Sequence, residues 1–306
     1  MNRSGTAQRV TAFIPLPVGR DRSTVVLALL AVYLVWGSTY LAMRVALQGF
    51  PPFIMSGLRF VVAGGALFLY LRARGASLPR RKPGAAAVLV GLLLLVGGNG
   101  GVALAEQRVA SGLAALGVAT VPLWAVLFGG LWRQWPRRLE WVGLTLGFAG
   151  IVLLNAQGDL RANPAGALTL LLAAASWALG SVWSRHLTLP EGAMGTAIEM
   201  LGAGAALLVV SLVFGERIPR VPAPSAIGAL LYLIVFGSLV AFSSYAYLLR
   251  RVQPALATSY AYVNPLVAVG LGAALGGERV TGLELLAMPL ILAAVVLVVL
   301  GRERAG

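Results

Sequence analysis

The sequence contains no cysteine and only one histidine, His186. The lack of cysteine excludes disulfide bonds, thiolate metal sites and thiol nucleophiles, and a lone histidine cannot form a histidine metal cluster. The G-x-S-x-G, H-E-x-x-H and P-loop patterns are also missing. We therefore expect no metal and no other cofactor, and a polytopic membrane enzyme becomes the least favoured class of function.

Charged side chains are scarce as well: they make up 11% of the 306 residues, whereas 59% of the residues are hydrophobic. The mean hydropathy of +0.87 leaves too little polar surface for a soluble protein. Apolar runs of about 20 residues match the thickness of a bilayer core. The sequence predicts an all-α polytopic membrane protein with ten transmembrane helices, at 24–47, 52–71, 84–104, 109–131, 139–156, 164–185, 192–214, 225–249, 254–276 and 281–301.

The net charge of +14 is distributed unevenly along the chain. With the N-terminus placed in the cytoplasm, 17 Lys and Arg residues fall in inner segments and five in outer segments. This asymmetry predicts that both termini are cytoplasmic, and it explains the excess charge without a nucleic-acid partner. Residues 1–22 are polar and the next apolar run is too long for a signal peptide, so no cleavage is expected. A composition rich in Ala, Gly, Pro and Arg favours a bacterial inner (plasma) membrane.

The second half of the chain repeats landmarks of the first half in the same order. The recurring pairs are Trp36 with Trp177, Arg44 with Arg185, Arg59 with Glu199, and Pro122 with Pro265, all at nearly the same shift along the sequence. Five crossings in each copy force the second copy to enter the bilayer from the opposite side. We therefore predict two inverted five-helix repeats, at 24–156 and 164–301, between cytoplasmic tails at 1–23 and 302–306.

Four segments carry a resemblance to a known family: WGSTYLAMRVAL at 36–47, ATVPLWAVLF at 119–128, ATSYAYVNPLVAVGLG at 257–272 and GGERVTGLELL at 276–286. With them, the chain resembles the EamA-type branch of the drug/metabolite transporter (DMT) superfamily over nearly its whole length. The resemblance implies a secondary transporter that works in the export direction. One departure lies in the first half, where Arg133, Gln134 and Trp135 replace the glycine-glutamate junction. No role is carried over to an acidic residue there.

Polar, charged and aromatic side chains inside the predicted spans are the candidates for a solute site. Membrane aromatics usually concentrate at the interfaces, whereas several of these lie deep. A mainly apolar cavity with a few hydrogen-bonding groups is the usual makeup of a small-molecule site. The predicted substrate-binding residues are Trp36, Ser38, Tyr40, Arg59, Asn99, Thr120, Trp124, Trp177, Trp183, Glu199, Tyr245, Tyr260 and Asn264. Proline removes a helical hydrogen bond, so Pro122 and Pro265 are predicted to bend their helices as hinges.

Arg59 and Glu199 lie about 10 Å inside predicted spans, where a charged side chain must face protein or water. Arg59 could hold a substrate carboxylate, and Glu199 could bind a proton during transport. The alternative, that carbonyls and polar neighbours anchor both charges structurally, stays open at this point. About 10 Å of height between the two residues argues against a direct salt bridge.

The leading functional hypothesis is a secondary transporter that exports small organic metabolites, such as amino acids or related amphipathic solutes. It would work by alternating access around a central cavity at the membrane midplane. A lipid-carrier flippase of the same superfamily is the alternative. The expected partners are the small-molecule substrate, the lipid bilayer and, as a candidate, a coupling proton.

Overall fold

The computed structural model describes residues 20–108, 111–133, 135, 138–154, 164–252 and 254–275, together with isolated positions between 282 and 297. These residues form helices and connecting turns, with no strand among them. Most of the predicted N-terminal tail, most of the tenth predicted span and the predicted C-terminal tail lie outside the described residues. The predicted all-α fold is confirmed for the described part of the chain.

The helices are named here in chain order. They are α1 (Arg20–Ala46), α2 (Pro52–Ala73), α3 (Arg81–Ala105), α4 (Ser111–Val118), α5 (Val121–Gly130), α6 (Arg138–Leu154), α7 (Pro164–Trp183), α8 (Ala193–Val213), α9 (Pro224–Arg251), α10 (Pro254–Thr258) and α11 (Tyr260–Leu275). Helices α3 and α9 each contain a π-helical segment, at Leu92–Gly100 and Leu233–Phe242. Leu92 and Leu233, the first residues of these segments, are related by the same shift as Trp36 and Trp177.

Six of these helices are long and apolar enough to cross a membrane: α1, α2, α3, α7, α8 and α9. Large apolar side chains such as Leu172, Leu212 and Val213 are exposed on their outer faces, as a lipid-facing surface requires. Helix α5 and the stretch Trp141–Gly150 of α6 are also apolar, but they are shorter. The expectation of a polytopic helical membrane protein is met at this level, while the count of ten spans stays a prediction.

Helices α2 and α8 end in the same way. After each, a glycine adopts a positive φ, 84° at Gly75 and 65° at Gly215, a conformation that other residues rarely adopt. In both cases the amide after the glycine donates back to a carbonyl in the last helical turn, which makes a Schellman ending. The two glycines are related by the same shift as Arg59 and Glu199, so they occupy equivalent places in the two halves.

Helices α2 and α8 also pack against each other through small residues. A Cβ atom at Gly64 would lie 2.8 Å from the amide nitrogen of Leu201, and one at Gly204 would lie 2.7 Å from that of Val61. The partner number falls as the number along α2 rises, so the two helices run antiparallel. Main chain therefore meets main chain, a close approach that small residues allow within membranes.

The fourth and ninth predicted spans are not single helices. The first is interrupted at Ala119 and Thr120, between α4 and α5, and the second at Ser259, between α10 and α11. Pro122 lies in the first turn of α5, where a proline loses no helical hydrogen bond, whereas Pro265 lies inside α11. The structure has a break just before Pro122 and another more than one turn before Pro265. A hinge role for either proline stays a prediction.

Candidate functional site

Four aromatic rings meet at the centre of the bundle, where α1 packs against α9 and α11, and α7 against α3 and α5. The rings of Trp36 on α1 and Trp177 on α7 are in edge contact, with centroids 5.3 Å apart. The ring of Tyr245 on α9 lies 5.1 Å from that of Trp36, and the ring of Tyr260 on α11 lies 4.8 Å from it. These four residues are called the aromatic cluster below. All four belong to the site predicted from the sequence.

Hydrogen bonds fix the polar edges of the aromatic cluster. Trp36 Nε1 donates to the carbonyl of Gly237, in the π-helical segment of α9, at 3.1 Å. Trp177 Nε1 donates to the Tyr245 hydroxyl at 3.2 Å, and that hydroxyl also lies 2.7 Å from Ser181 Oγ. A buried N–H group left unpaired costs about 1–3 kcal/mol, so these bonds hold the rings in one arrangement.

A small cavity of about 60 Å³, here called the central cavity, touches three rings of the aromatic cluster. Its wall comes from α1, α3, α4, α5, α7 and α11 and is mainly apolar. Six of the predicted site residues line it: Trp36, Tyr40, Asn99, Trp177, Tyr260 and Asn264. The structure therefore brings together side chains from both halves of the sequence around one space.

The two asparagines of the central cavity differ in how their amides are paired. In the orientation that satisfies its amide, Asn264 donates from its nitrogen to the carbonyls of Tyr33, at 3.2 Å, and Tyr260, at 3.1 Å. Tyr40 also forms a side-chain hydrogen bond with Asn264. The Oδ1 atom of Asn99, in contrast, is buried without a hydrogen-bond partner among the described residues. Buried polar atoms normally find partners, so this acceptor is open to a donor group of a solute.

A larger space of about 530 Å³, here called the vestibule, reaches the fourth ring of the aromatic cluster, Tyr245. Glu199 lies in its wall together with Arg185 and Arg250, and both arginines donate hydrogen bonds to main-chain carbonyls. Small-molecule sites usually measure about 300–1,000 Å³. The vestibule can therefore admit a small solute, whereas the central cavity cannot hold one in this conformation.

The two charged residues that the sequence places inside spans have different surroundings. Arg59 is buried: its Nε donates to Ser238 Oγ at 2.8 Å, and its Cζ lies 4.9 Å from the centroid of the Phe60 ring. One of its terminal nitrogens lies 3.8 Å from the sulfur of Met43, which lines the central cavity. Arg59 therefore stands one side chain behind the cavity wall, whereas Glu199 lines the vestibule directly.

Four predicted site residues lie away from both spaces. Ser38 and Thr120 donate their hydroxyls to main-chain carbonyls three residues earlier. The ring of Trp124 stacks on that of Phe128 at 6.0 Å, and Trp183 is half-buried at the last position of α7. Local bonds of this kind satisfy both hydroxyls, which depth in a span could not reveal, and Ser38 Oγ also lies 2.6 Å from the Tyr232 hydroxyl on α9. A substrate role for these four residues stays a prediction.

Glu106 is a buried charged residue that the sequence analysis leaves out of the site. It follows the last residue of α3 and lies one turn beyond Val102, which lines the central cavity. It is 9% exposed, and both carboxylate oxygens are buried without a hydrogen-bond partner among the described residues. A signal was available, because Glu106 stands seven residues after Asn99 and therefore on the same helical face.

Comparison with known proteins identifies the family of the chain. The EamA-like transporter family matches the chain twice, at residues 23–156 and 164–300. The chain belongs to the EamA-like transporter family. The resemblance drawn from the sequence segments is thereby confirmed, and family membership indicates a transporter rather than an enzyme.

Relatives of this EamA-like chain include proteins from two bacteria. It is 50% identical over 276 residues to "Uncharacterized inner membrane transporter YedA" of Escherichia coli (strain K12), an alignment that covers 90% of each protein. It is 27% identical over 258 residues to "Uncharacterized transporter YoaV" of Bacillus subtilis (strain 168), covering 81% of this chain and 87% of that one. A protein of known crystal structure shares the fold with a TM-score of 0.75 at 23% identity, over 92% of this chain and 99% of the other.

Proposed function

We propose that this EamA-like protein is a secondary transporter that exports small organic metabolites, such as amino acids or related amphipathic solutes, by alternating access. The position of the aromatic cluster carries the proposal: three of its rings line the central cavity, and the fourth lines the vestibule. The cluster thus separates a space that can admit a solute from a second, contracted space beyond it. Alternating access requires such a barrier between two compartments of one path.

We also propose that two inverted five-helix repeats, at 24–156 and 164–301, form the walls of this path. Three pairs of structural features support it, at nearly the same shift as the sequence landmarks: the π-helical segments from Leu92 and Leu233, the endings at Gly75 and Gly215, and the contacts of Gly64 and Gly204. The shift that relates Gly64 to Gly204 also relates Val61 to Leu201. The contact of Gly64 with Leu201 is therefore the counterpart of the contact of Gly204 with Val61. Two copies related by a twofold axis make self-complementary contacts of this kind.

The two volumes indicate which step of the cycle this conformation represents. The central cavity, at about 60 Å³, has room for a few water molecules, whereas the vestibule measures about 530 Å³. In this conformation a solute enters the vestibule and stops at the aromatic cluster. Movement of the two repeats against each other then parts the rings, enlarges the central cavity and opens its far end.

Polar groups along the path fit a solute that carries charges of both signs. Glu199 in the vestibule can face an ammonium group, Arg59 behind the central cavity can attract a carboxylate, and Asn99 offers an unpaired acceptor. The apolar and aromatic walls suit the rest of an amphipathic molecule. Highly phosphorylated solutes fit poorly, because Arg59 is the only buried basic residue in the described part of the chain.

We place the protein in the bacterial inner (plasma) membrane with both termini in the cytoplasm. The asymmetry of basic residues supports this orientation, and the relative YedA is named an inner membrane transporter. The vestibule lies at the end of α7, the end of α9 and the beginning of α8. In this orientation it opens to the cytoplasm, which is the entry side of an exporter.

Counterflow in proteoliposomes tests the proposal. Purified protein is reconstituted and screened with labelled amino acids and related amphipathic solutes, with and without a pH gradient. We expect exchange above that of empty liposomes. Asn264→Leu and Arg59→Gln should lower the initial rate by about five- to a hundredfold, since each removes one buried polar interaction. Arg72→Gln is the matched control, because Arg72 is an exposed arginine on the same helix as Arg59.

Three results would count against parts of this proposal. Exchange no greater than in empty liposomes for the whole panel would refute metabolite transport. Equal rates for Arg59→Gln and Arg72→Gln would remove Arg59 from the solute site. Movement of lipid-linked substrates alone would favour the flippase alternative.

A further inference from the structure

Helix α3 runs along the whole proposed path. Val90 and Leu94 line the vestibule, Asn99 and Val102 line the central cavity, and Glu106 follows one turn later. This order places Glu106 at the end of the central cavity that lies away from the vestibule. The carboxyl group therefore stands where the path must open for a solute to leave.

This end of the path is closed around Glu106. The side chain is 9% exposed, and neither carboxylate oxygen has a hydrogen-bond partner among the described residues. An ionised carboxylate in such a place costs several kcal/mol unless it is paired. Burial accordingly raises the pKa of the Glu106 carboxyl well above its usual range, and the charge of Arg44 opposes this rise.

In the part of the chain that the structure describes, few charged or titratable groups face Glu106. The Glu106 carboxylate interacts electrostatically with Arg44 and Tyr40, which both lie on α1. The side chain of Arg44 is exposed. Helices α4 and α7, which pack against this end of α3, carry no titratable side chain within their described bounds. Arg59 on α2 donates a hydrogen bond to Ser238. Arg108, two residues after Glu106, has an exposed side chain. Arg44 is the group whose positive charge acts on Glu106, so it is the countercharge placed to receive the carboxylate once it ionises.

We propose that Glu106 is a proton-binding site that controls the opening of this end of the central cavity, an inference that rests on the transport function proposed above. A bound proton leaves the carboxyl neutral, and a neutral carboxyl tolerates burial. Loss of that proton leaves a buried carboxylate with no donor, and it favours a conformation in which water or Arg44 reaches the oxygens. Proton binding therefore favours the closed end.

The direction of the pH effect follows from linkage between proton binding and conformation. The carboxyl holds its proton more tightly in the closed state than in an open, hydrated state. Raising the pH on this side should therefore open the cavity, and lowering it should close the cavity. Between the two pKa values, the ratio of open to closed molecules changes by up to about tenfold per pH unit.

The absence of cysteine in the natural sequence allows a direct labelling assay. Val102→Cys puts a single thiol on the wall of the central cavity, and a membrane-impermeant maleimide is added on the Glu106 side. Gln48→Cys, in the exposed turn after α1, corrects for the intrinsic pH dependence of thiol reactivity. With Glu106 present, the corrected rate should rise with pH by up to about tenfold per unit. With Glu106→Gln it should stay flat at the low value.

Further variants separate this role from a merely structural one. Glu106→Leu gives a second neutral side chain and should also remove the pH dependence. Gln107→Glu puts a carboxyl on the neighbouring exposed residue and should leave the wild-type profile unchanged. Arg44→Gln should move the midpoint to higher pH, because the charge of Arg44 lowers the Glu106 pKa. A wild-type profile in Glu106→Gln or Glu106→Leu, or a midpoint that moves to lower pH in Arg44→Gln, would overturn the inference.

The labelling assay needs no solute, so it separates this inference from the proposed function. A protein that shows the Glu106-dependent profile but moves no solute would refute the proposed function and leave the proton site standing. A protein that transports solutes but is labelled independently of pH would refute the proton site alone.

Discussion

At the scale of single residues, the Tyr245 hydroxyl connects two helices of the path. It accepts the hydrogen bond of Trp177 Nε1 at 3.2 Å and lies 2.7 Å from Ser181 Oγ. Its ring meanwhile contacts Trp36, with centroids 5.1 Å apart, and faces the vestibule. One side chain thus joins α9 to α7 and forms part of the barrier between the two spaces.

We predict that Tyr245→Phe lowers the free energy of unfolding by about 1–3 kcal/mol, because the Trp177 N–H group loses its acceptor while it stays buried. Tyr247→Phe is the matched control: Tyr247 is half-buried, and its ring lies 5.7 Å from the guanidinium of Arg251. That change should stay within about 0.5 kcal/mol. Denaturant unfolding in detergent measures both variants. Equal losses of unfolding free energy in the two variants would show that the Tyr245 hydroxyl does not stabilise the fold.

The sequence predicted part of the site for a physical reason. Aromatic and amide side chains deep in apolar segments must find partners, and Trp36, Trp177 and Asn264 do so around the central cavity. The same reasoning could not exclude Ser38 from the predicted site, although its hydroxyl bonds a carbonyl of its own helix. It also left out Glu106, because a position near the end of a span gives no measure of burial.

At the scale of elements, the ends of the helices could be predicted from the sequence better than the interruptions within them. Helix α2 begins at Pro52 and is followed by Gly75, both of which are readable from the sequence. The π-helical segments at Leu92–Gly100 and Leu233–Phe242 have no comparable signal, since their residues are apolar and suit an α-helix as well. The break at Ser259 likewise lies more than one turn before Pro265, so the position of the proline does not predict it.

We predict that Gly64→Ala destabilises the protein by about 1–3 kcal/mol, because the new methyl group would meet main-chain atoms of α8 that cannot move aside. Its neighbour gives the control. A Cβ at Gly65 would touch only a side-chain carbon of Leu201, at 4.0 Å, so Gly65→Ala should be neutral or stabilising by up to about 1 kcal/mol. Thermal unfolding in detergent compares the two. Similar melting temperatures would mean that α2 and α8 are not held at this distance in solution.

At the scale of the whole molecule, the proposed inversion places equivalent positions on opposite sides of the membrane. Gln48 and Thr188 are exposed equivalents under the shift that relates the two halves, and so are Ser77 and Arg217. Single cysteines at these four positions, labelled in intact cells, should give Gln48→Cys and Arg217→Cys accessible from outside, with Thr188→Cys and Ser77→Cys protected. Equivalent positions that react from the same side would contradict inverted repeats.

Hydropathy alone predicted ten spans, and six of the described helices meet the length of a span. The difference has a physical cause in the fourth predicted span, where the interruption at Ala119 and Thr120 divides one apolar run into two short helices. A hydropathy window averages over such an interruption and cannot detect it. The packing of helices from the two halves, as between α2 and α8, depends on the shapes of the helix surfaces. It could not be predicted from composition.

The main-chain contact between α2 and α8 has a consequence for how such a polypeptide can be assembled. The meeting faces belong to different halves of the chain, since α2 lies in the first half and α8 in the second. A covalent link between the two halves keeps them at high effective concentration. Gene fusion or fission between the two halves would alter the number of chains in the molecule, while the contact between α2 and α8 stayed the same.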